Sequence, residues 1–581
     1  MEENIEMQAQ LQSLTSKAAH IEKMLERGAN TVILQLGSHS LKYGLANDTN
    51  PRWLRCLVGR KLQESDHKIE SCAIEPDADK VGHLSELVEA YLTKKGNIKR
   101  QDGSFNKTGK PKGAAKTEPA RDRFEFQEKV ADFSKDLYLG EEVYYLEGRK
   151  DFVIREPIQF GLLNIANDYT ENDAINDLEL LIQKAVSDME IPAYEIENYS
   201  LVICAPDKFH RGQMKLIIDM LMERIGFGAF SIHLESILAS FGCGLPLVCI
   251  IEMGYTSITV TTVEEGVIVP NSQIKKHYGA RDIDILLNSM LNYSNQVTCI
   301  PDTSRLSIRS FKHLAALEKL REKYGIYCLA EETNKIADFY LPAELNEPTK
   351  LCVPFNNSFI VAPSMIFHVE GLELLHKDEA YKDKPQFDRN SAFFEGYLDE
   401  EDFQDDTEIR VNKMMAQCLQ TQDLTKKQQI LDSSKIDMSS IQLPYSMANL
   451  EDIISYSIFQ LKDAEARKKA ANCIVISGGF ARTPFLVEEL EDRLIERIAK
   501  FDPNIDRVEV INHSNREFDN AELVWTGGAV LPKLDCMRDS FIPKNRWLAR
   551  IDTEEERDRR ERKDCAEFGI KYLKEKIAFQ W

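Results

Sequence analysis

TVILQLGSHSLKYGLA (residues 31–46) decides the fold: an apolar, β-branched strand runs straight into a glycine and returns as a second strand. Two further segments repeat the theme in chain order, CIIEMGYTSITV (249–260) and CIVISGG (473–479). At each glycine the backbone N–H groups lie bare, so a phosphate can approach without meeting a Cβ. The first two have strand–turn–strand character, as expected where two hairpins clasp a nucleotide's phosphates from opposite sides. Taken alone, Gly37 or Gly254 reads as an ordinary hairpin glycine. Three such segments in order, separated by long α/β stretches, carry the stronger reading.

Composition sets the outer bounds. A chain of 581 residues with 43% hydrophobic content buries a large core and is expected to form more than one domain or lobe. No apolar run is long enough to span a bilayer, and MEENIEMQAQLQSL at the start lacks the basic end and apolar middle of a signal peptide. The twelve cysteines are scattered with no C-x-x-C pair. That pattern predicts reduced, mostly buried thiols of a cytosolic or nuclear protein rather than a disulfide framework or a zinc site. A net charge of −22 argues against bulk adhesion to DNA or anionic membrane and leaves basic partners such as histones open.

Residues 3–28 place Ile5, Leu11, Leu14, Ala18, Ile21 and Leu25 at helical spacing, with Gly28 as the stop. The resulting amphipathic helix over 1–28 packs on the body of the protein or docks a partner helix; both readings are open. From 94 to 123 ten Lys and Arg stand against three acids among frequent glycines. This stretch reads as an exposed, flexible insertion, with a DNA-phosphate contact as the sharper alternative. Order is expected to resume at DLYLGEEVYYL (136–146) and REPIQFGLLN (155–164), followed by a helix near 173–189, a strand at 199–206 and a helix at 209–225. That alternation predicts a mixed α/β sheet with crossovers. A second insertion, about 371–446, interleaves Phe393, Phe394, Tyr397 and Phe403 with a dense acid cluster. It is either disordered or an acidic surface with aromatic anchors for a basic protein. TEEERDRRERK (553–563) mixes signs at helical spacing and reads as one solvated helix.

The motifs together resemble the actin-fold class of actins, sugar kinases and heat-shock chaperone ATPases. LGSHSLKYGLAND (36–48) resembles the first phosphate hairpin, YLGEEV (138–143) and EPIQFGLLN (156–164) the segments that follow it, and VICAPDKFHRGQMKLIIDMLMERIGF (202–227) the strand and helix before the hinge. ESILASFGCG (235–244), the second hairpin at 252–260, APSMIF (362–367), ISGG (476–479) and VWTGGAVL (524–531) extend the likeness nearly end to end. The implied architecture is an α/β actin-like ATPase fold of two lobes, each with a ribonuclease-H-like mixed sheet and large insertions. The first lobe is expected over 29–246, the second over 247–530, and a C-terminal segment, 531–581, returns to the first. Within the class, GIKYLKEKIAFQW (569–581) and HLESILASFGCGL (233–245) resemble the nuclear actin-related subunits of Ino-eighty-type chromatin remodellers.

The resemblance carries over residue by residue. Gly37, Ser38 and Lys42 stand at phosphate-binding positions of the first hairpin, and Gly254 and Thr256 in the second. Gly478, Gly479 and Phe480 form the adenosine turn. Glu322 matches the glutamate at the sugar and base, with Arg321 replacing its lysine neighbour. Gln35 stands in place of the first hairpin's aspartate and Tyr255 in place of the second hairpin's second aspartate. Glu252 replaces the aspartate before it, Glu235 the water-orienting glutamine, and His39 a glycine. The resemblance thus implies a bound adenine nucleotide, ATP or ADP, with or without Mg2+. Hydrolysis is expected to be slow or absent, because losing one water-orienting contact alone lowers rates by about 10² to 10⁴. No residue is assigned as catalytic or as a direct metal ligand.

Two classes of function compete. The first is a nuclear scaffold that docks with actin and another actin-related protein on a long helix of a remodeller's motor subunit and contacts nucleosomes, histones or linker DNA. Roles in transcription and DNA repair would follow from that membership. The second is an active ATPase or kinase of the same fold, against which Gln35 and Tyr255 count. A filament-forming cytoskeletal actin is disfavoured, because insertions on both lobes would obstruct repeated heterologous contacts.

Overall fold

The computed structural model describes residues 28–62, 120–125, 134–165, 169–209, 211–294, 298–300, 306–325, 335–341, 349–354, 358–368, 449–511 and 519–548. Residues 1–27 of the expected N-terminal helix, the acidic insertion at 371–446 and the mixed-charge helix at 553–563 lie outside them.

β1 (Thr31–Leu36) is buried along its whole length, as its unbroken TVILQL run demands of a strand covered on both faces. β2 (Ser40–Leu45) returns antiparallel from Leu36↔Leu41 to Val32↔Leu45, and β3 (Arg52–Arg55) continues the sheet. β4 (Val58–Lys61) leaves it to found a small three-stranded sheet. Before that sheet is completed by β6 (Leu137–Leu139) and β7 (Phe152–Arg155), the chain contributes β5 (Ala120–Glu125) elsewhere. β8 (Ile158–Gln159) and β9 (Leu162–Leu163) make a minimal hairpin. α1 (Glu171–Asp188) opens on a reciprocal capping box between Thr170 and Asp173, which satisfies backbone donors that a helix start otherwise leaves open. β10 (Ser200–Ala205) and β11 (Ala229–Leu234) then add in parallel beside β1. They are connected by α2 (Arg211–Asp219) and a π-helical turn, Met220–Ile225.

α3 (Glu235–Cys243) leads into the second lobe. There β12 (Leu247–Met253) and β13 (Ile258–Glu264) form an antiparallel hairpin, flanked by β14 (Val267–Ile268) and β15 (Ile274–Lys276). α4 (Ala280–Ser294), β16 (Thr298–Ile300), α5 (Phe311–Tyr324), β17 (Lys335–Leu341), β18 (Thr349–Pro354) and α6 (Ser358–Ser364) build its outer part. After α7 (Leu450–Phe459) and α8 (Ala464–Ala471), β19 (Ile474–Ser477) enters parallel to β12, followed by α9 (Leu486–Phe501) and β20 (Val510–Ile511). α10 (Leu523–Val530) crosses back, and β21 (Ile542–Pro543) and α11 (Lys544–Leu548) close on the first lobe, where Trp547 packs edge-on against Phe230.

The two central sheets run β21-β11-β10-β1-β2-β3 and β14-β13-β12-β19-β20. They share one plan: a hairpin with a parallel strand on its inner side, β1–β2 with β10 and β12–β13 with β19. The turns of both hairpins therefore belong to equivalent strand ends. Between the sheets, Ile33, Val202, Ile250 and Val475 share one apolar cluster with Leu238 of α3 and Trp525 of α10. These two helices join the lobes beneath the hairpin turns.

The composition boundary of the basic insertion runs too far. Ala120–Arg123 belong to β5, which pairs in parallel with β17 in the four-stranded sheet β16-β18-β17-β5. β5 is the edge strand of that sheet. Phe124 stacks on Phe339 with ring centroids 4.4 Å apart. Cys56, Cys204, Cys243, Cys249, Cys352 and Cys473 are free thiols, as their scatter predicts.

Candidate functional site

Both hairpin turns are fixed by the same steric fact. A Cβ on Gly37 would stand 2.6 Å from the Ser40 carbonyl oxygen, and one on Gly254 2.9 Å from that of Ser257. Each turn folds too tightly over its own returning strand for any side chain at that position. The turns then meet across the cleft. Thr256 Oγ1 donates to Ser38 Oγ at 3.0 Å while accepting from the Phe160 N–H at 3.0 Å. The His39 ring stands edge-on to Tyr255 at 4.8 Å.

Below the turns lies a buried polar cluster. The amide of Gln35, at the end of β1, donates from Nε2 to Glu235 Oε1 at 2.7 Å. Gln35 Oε1 and Glu252 Oε2 are buried acceptors without a protein partner. Lys42 Nζ donates to the Ala521 carbonyl and lies 4.7 Å from the Trp53 ring. Burial pushes Glu235 up to about 8, reinforced by the negative charge of Glu252; Glu252 is raised by burial too. Burial likewise depresses the Lys42 ammonium. Asp207 accepts from Thr261 Oγ1 at 2.7 Å and from the Ser236 N–H at 3.2 Å.

This geometry revises one reading of the substitutions. At the positions where the resemblance places an aspartate and a glutamine, the chain has Gln35 and Glu235, and the two touch. Amide and acid have changed places across one hydrogen bond. The carboxyl group lost from β1 reappears on α3, so Glu235 is half of an exchanged pair.

Glu235 carries a measurable consequence. In the unfolded chain it ionises near 4.3, whereas in the fold it holds its proton up to about 8. Between those values the unfolded state releases its proton first, so stability falls as pH rises. Glu235→Gln is expected to abolish this decline, worth at most about 5 kcal/mol. Denaturant titrations from pH 5 to 8 check it. Parallel pH profiles for the two proteins would refute a buried acid.

The remaining predicted residues gather on the far side of β12. Glu252 pairs in register with Ser477, which brings Gly478 and Gly479 beside it. Arg321 on α5 donates from Nε to Asp284 Oδ1 at 2.9 Å and from Nη1 to Thr483 Oγ1 at 3.1 Å. Its guanidinium lies 5.0 Å from the Phe480 ring. Arg321 and Phe480 are thus almost entirely enclosed, whereas Glu322 on the next position is half-buried and raised by burial and by Glu318. Gly37, Ser38, Lys42, Glu252, Gly254, Tyr255 and Thr256 form one group and Arg321, Glu322, Gly478, Gly479 and Phe480 a second, adjoining at the Glu252–Ser477 pair.

Several participants escaped the sequence reading. Glu318 accepts from His39 Nε2 at 2.9 Å across the lobes. Burial opposes the Glu318 charge, yet His39, Arg55 and Arg321 hold its carboxyl well below the usual range; burial, with the Arg55 charge, lowers the His39 imidazole. Arg482 pairs with Asp519 at 2.6 Å and covers Trp53 at 4.6 Å. His39, Trp53, Arg55, Glu318 and Arg482 line a cavity of about 810 Å³ between the lobes, within the size range of small-molecule sites. Only Asp207 had a usable signal: it lies just past the C-terminal end of β10, where α/β sheets place ligands.

The sequence profile of the family described as Actin matches residues 26–342. Actin-related protein 8 of Aedes aegypti is 23% identical, the alignment covering 95% of this chain and 98% of that protein. Actin-related protein 8 of Salmo salar is 23% identical over 95% and 92%. Human Arp8, solved in its ATP-bound state, superposes with a TM-score of 0.65 at 19% identity, covering 92% of this chain and 96% of that one. At that identity the match speaks for the fold.

Proposed function

This chain belongs to the actin family, and on that premise we propose that it is a nuclear actin-related scaffold subunit of an ATP-dependent chromatin-remodelling complex. It holds adenine nucleotide in the cleft with little or no hydrolysis. The observation that carries the nucleotide half is the pairing of two glycine-pinned hairpins, bridged by Ser38 and Thr256, over the buried Lys42. One similar protein, human Arp8, is known in an ATP-bound state. Slow turnover is supported by Tyr255 at an acid's position and by a protonated Glu235 where a neutral amide orients water in the family.

The residues also fit a hydrated divalent cation. Gln35 Oε1 and Glu252 Oε2 are orphaned acceptors in the same cluster, suited to hold the water shell of Mg2+. Such an ion, when bound, neutralises phosphate charge. Gln35 and Glu252 would hold the waters around such an ion, Lys42 would meet the phosphates, and Glu322 would face the sugar and base.

The scaffold half rests on the similarity to actin-related proteins and on the charge of −22. The partners are a helix of the remodeller's motor subunit, actin, a second actin-related protein, histones or nucleosomes, and linker DNA. Transcription regulation and DNA repair are the processes served. One experiment tests both halves. Affinity purification of the full chain should recover remodeller subunits, and acid extraction of the same material should release about one ATP or ADP per chain. Recovery of a nucleotide-free protein, or of no chromatin subunit, would overturn the respective half.

A further inference from the structure

We infer that Trp53 is the ring on which the base of a bound nucleotide stacks, a wall that the first lobe adds to the base site. This placement rests on the nucleotide reading above and concerns a residue to which the resemblance gives no role. Arg321, Glu322, Gly478, Gly479 and Phe480, the positions matched to the nucleoside, all belong to the second lobe. Two of them have no free face. Phe480 is fully buried, and the Arg321 guanidinium is taken up by Asp284, Thr483 and the Phe480 ring. The glycines bring no ring, and Glu322 offers only a carboxyl. A purine held here needs one more apolar plane.

Three contacts put Trp53 in that place. It pairs directly with Lys42 across β3 and β2, and residues so paired project from one face of a sheet. The Lys42 ammonium accordingly lies 4.7 Å from the indole. Arg482, the last residue of the turn that starts at Gly479, lies 4.6 Å from the same ring. Burial raises the Glu322 carboxyl while the charges of Arg321 and Arg482 oppose the rise, so Arg482 neighbours Glu322 as well as the indole. The third contact fixes the ring's orientation: Trp53 Nε1 donates to Glu522 Oε1 at 3.3 Å.

Exposure sets this indole apart. Trp525 and Trp547 are 1% and 0% exposed and fill the core. Trp53 is half-buried and lines the cavity of about 810 Å³ between the lobes. Arg55, Lys319 and Arg482 share that lining with Glu141, Glu142 and Glu318. Net charge therefore does not mark the wall for an anion, and the indole marks it for a planar ring. Arg482 is a replaceable neighbour. Its side chain is 34% exposed, and a solvent-facing cation on an indole contributes less than a stacked base. The base takes the guanidinium's place on the ring, while Asp519, 2.6 Å from Arg482, keeps the cation at the rim. Stacking does not read hydrogen-bonding edges, so this wall by itself accepts adenine and guanine alike.

Titration of the nucleotide-stripped full chain with MgATP, and with magnesium tripolyphosphate, tests the assignment. The second ligand has the phosphates and no base. In the unmodified protein ATP is expected to quench tryptophan emission, and tripolyphosphate to leave it unchanged. Trp53→Ala should weaken ATP about tenfold, a usual value for one stacked base, without altering the tripolyphosphate affinity. Trp53→Phe keeps a smaller plane; it should recover part of the affinity and lose the quench. A quench that persists in Trp53→Phe comes from another indole and overturns the stacking. Unaltered ATP affinity in Trp53→Ala overturns it too, and leaves the nucleotide reading standing. Equal weakening of both ligands does the same, since the indole would then be shaping the phosphate site. If neither ligand binds the unmodified protein, the nucleotide reading falls and the base wall falls with it.

Discussion

Gln35→Asp combined with Glu235→Gln is expected to raise single-turnover phosphate release with MgATP by about 100-fold over the unmodified chain, or about 2.7 kcal/mol of barrier. These two side chains share a 2.7 Å hydrogen bond. The exchange restores a charged acceptor on β1 and a neutral, water-orienting amide on α3 without changing the number of acids or the hydrogen bond. The single changes should behave differently. Gln35→Asp alone sets two carboxyls at hydrogen-bond distance, where they share a proton and neither is a full charge at neutral pH. Glu235→Gln alone leaves two amides and one acid fewer around the phosphates. Strong non-additivity is therefore part of the expected result. A Gln35→Asp variant as active as the double variant would show that the pairing has no mechanistic weight. Tyr255 persists in every variant and keeps the double variant short of full activity.

How much of this was legible beforehand depended on how local the signal was. The unbroken TVILQL and LVCIIEM runs announce strands buried on both faces, and the glycine after each announces a turn. Those features recur in one short window, so a sequence exposes them. The Gln35–Glu235 bond joins residues 200 apart in the chain, and the His39–Glu318 bond spans 279; no periodicity encodes either. Matching each position separately shows Glu235 only as a replacement for the water-orienting glutamine, because its partner Gln35 lies at the end of another element. β5 was hidden for a different reason. Its six residues sit at the margin of a lysine- and glycine-rich stretch, and composition averaged over that stretch outweighs a brief alternation. What gives ARDRFE its strand is Phe339 and the open side of β17, both supplied from the other lobe.

Arg321 supplies the second large effect. Aligned by motif, it falls where a lysine approaches the base, so Arg321→Met would be expected to weaken nucleotide binding and leave the fold alone. The structure argues for the reverse. Both the guanidinium and the Asp284 carboxylate are 1% exposed, and Thr483 and the Phe480 face occupy the rest of the guanidinium. Burial pushes the Asp284 carboxyl up, and Arg321 is the first influence holding it down. Arg321→Met should therefore destabilise the second lobe by about 3–5 kcal/mol, because it strands a buried acid. The deficit should shrink as pH falls and Asp284 takes up a proton, and grow as pH rises. Arg321→Lys retains the charge but not the two-pronged geometry, and should recover only part of the loss. Arg321→Met with Asp284→Leu removes both charges and should regain most of it, since a buried ion pair contributes little beyond an apolar pair of similar volume. Denaturant unfolding of the four proteins at two pH values separates the possibilities. If Arg321→Met kept its stability and lost only nucleotide, the residue would face the ligand after all, and the Asp284 contact would be incidental.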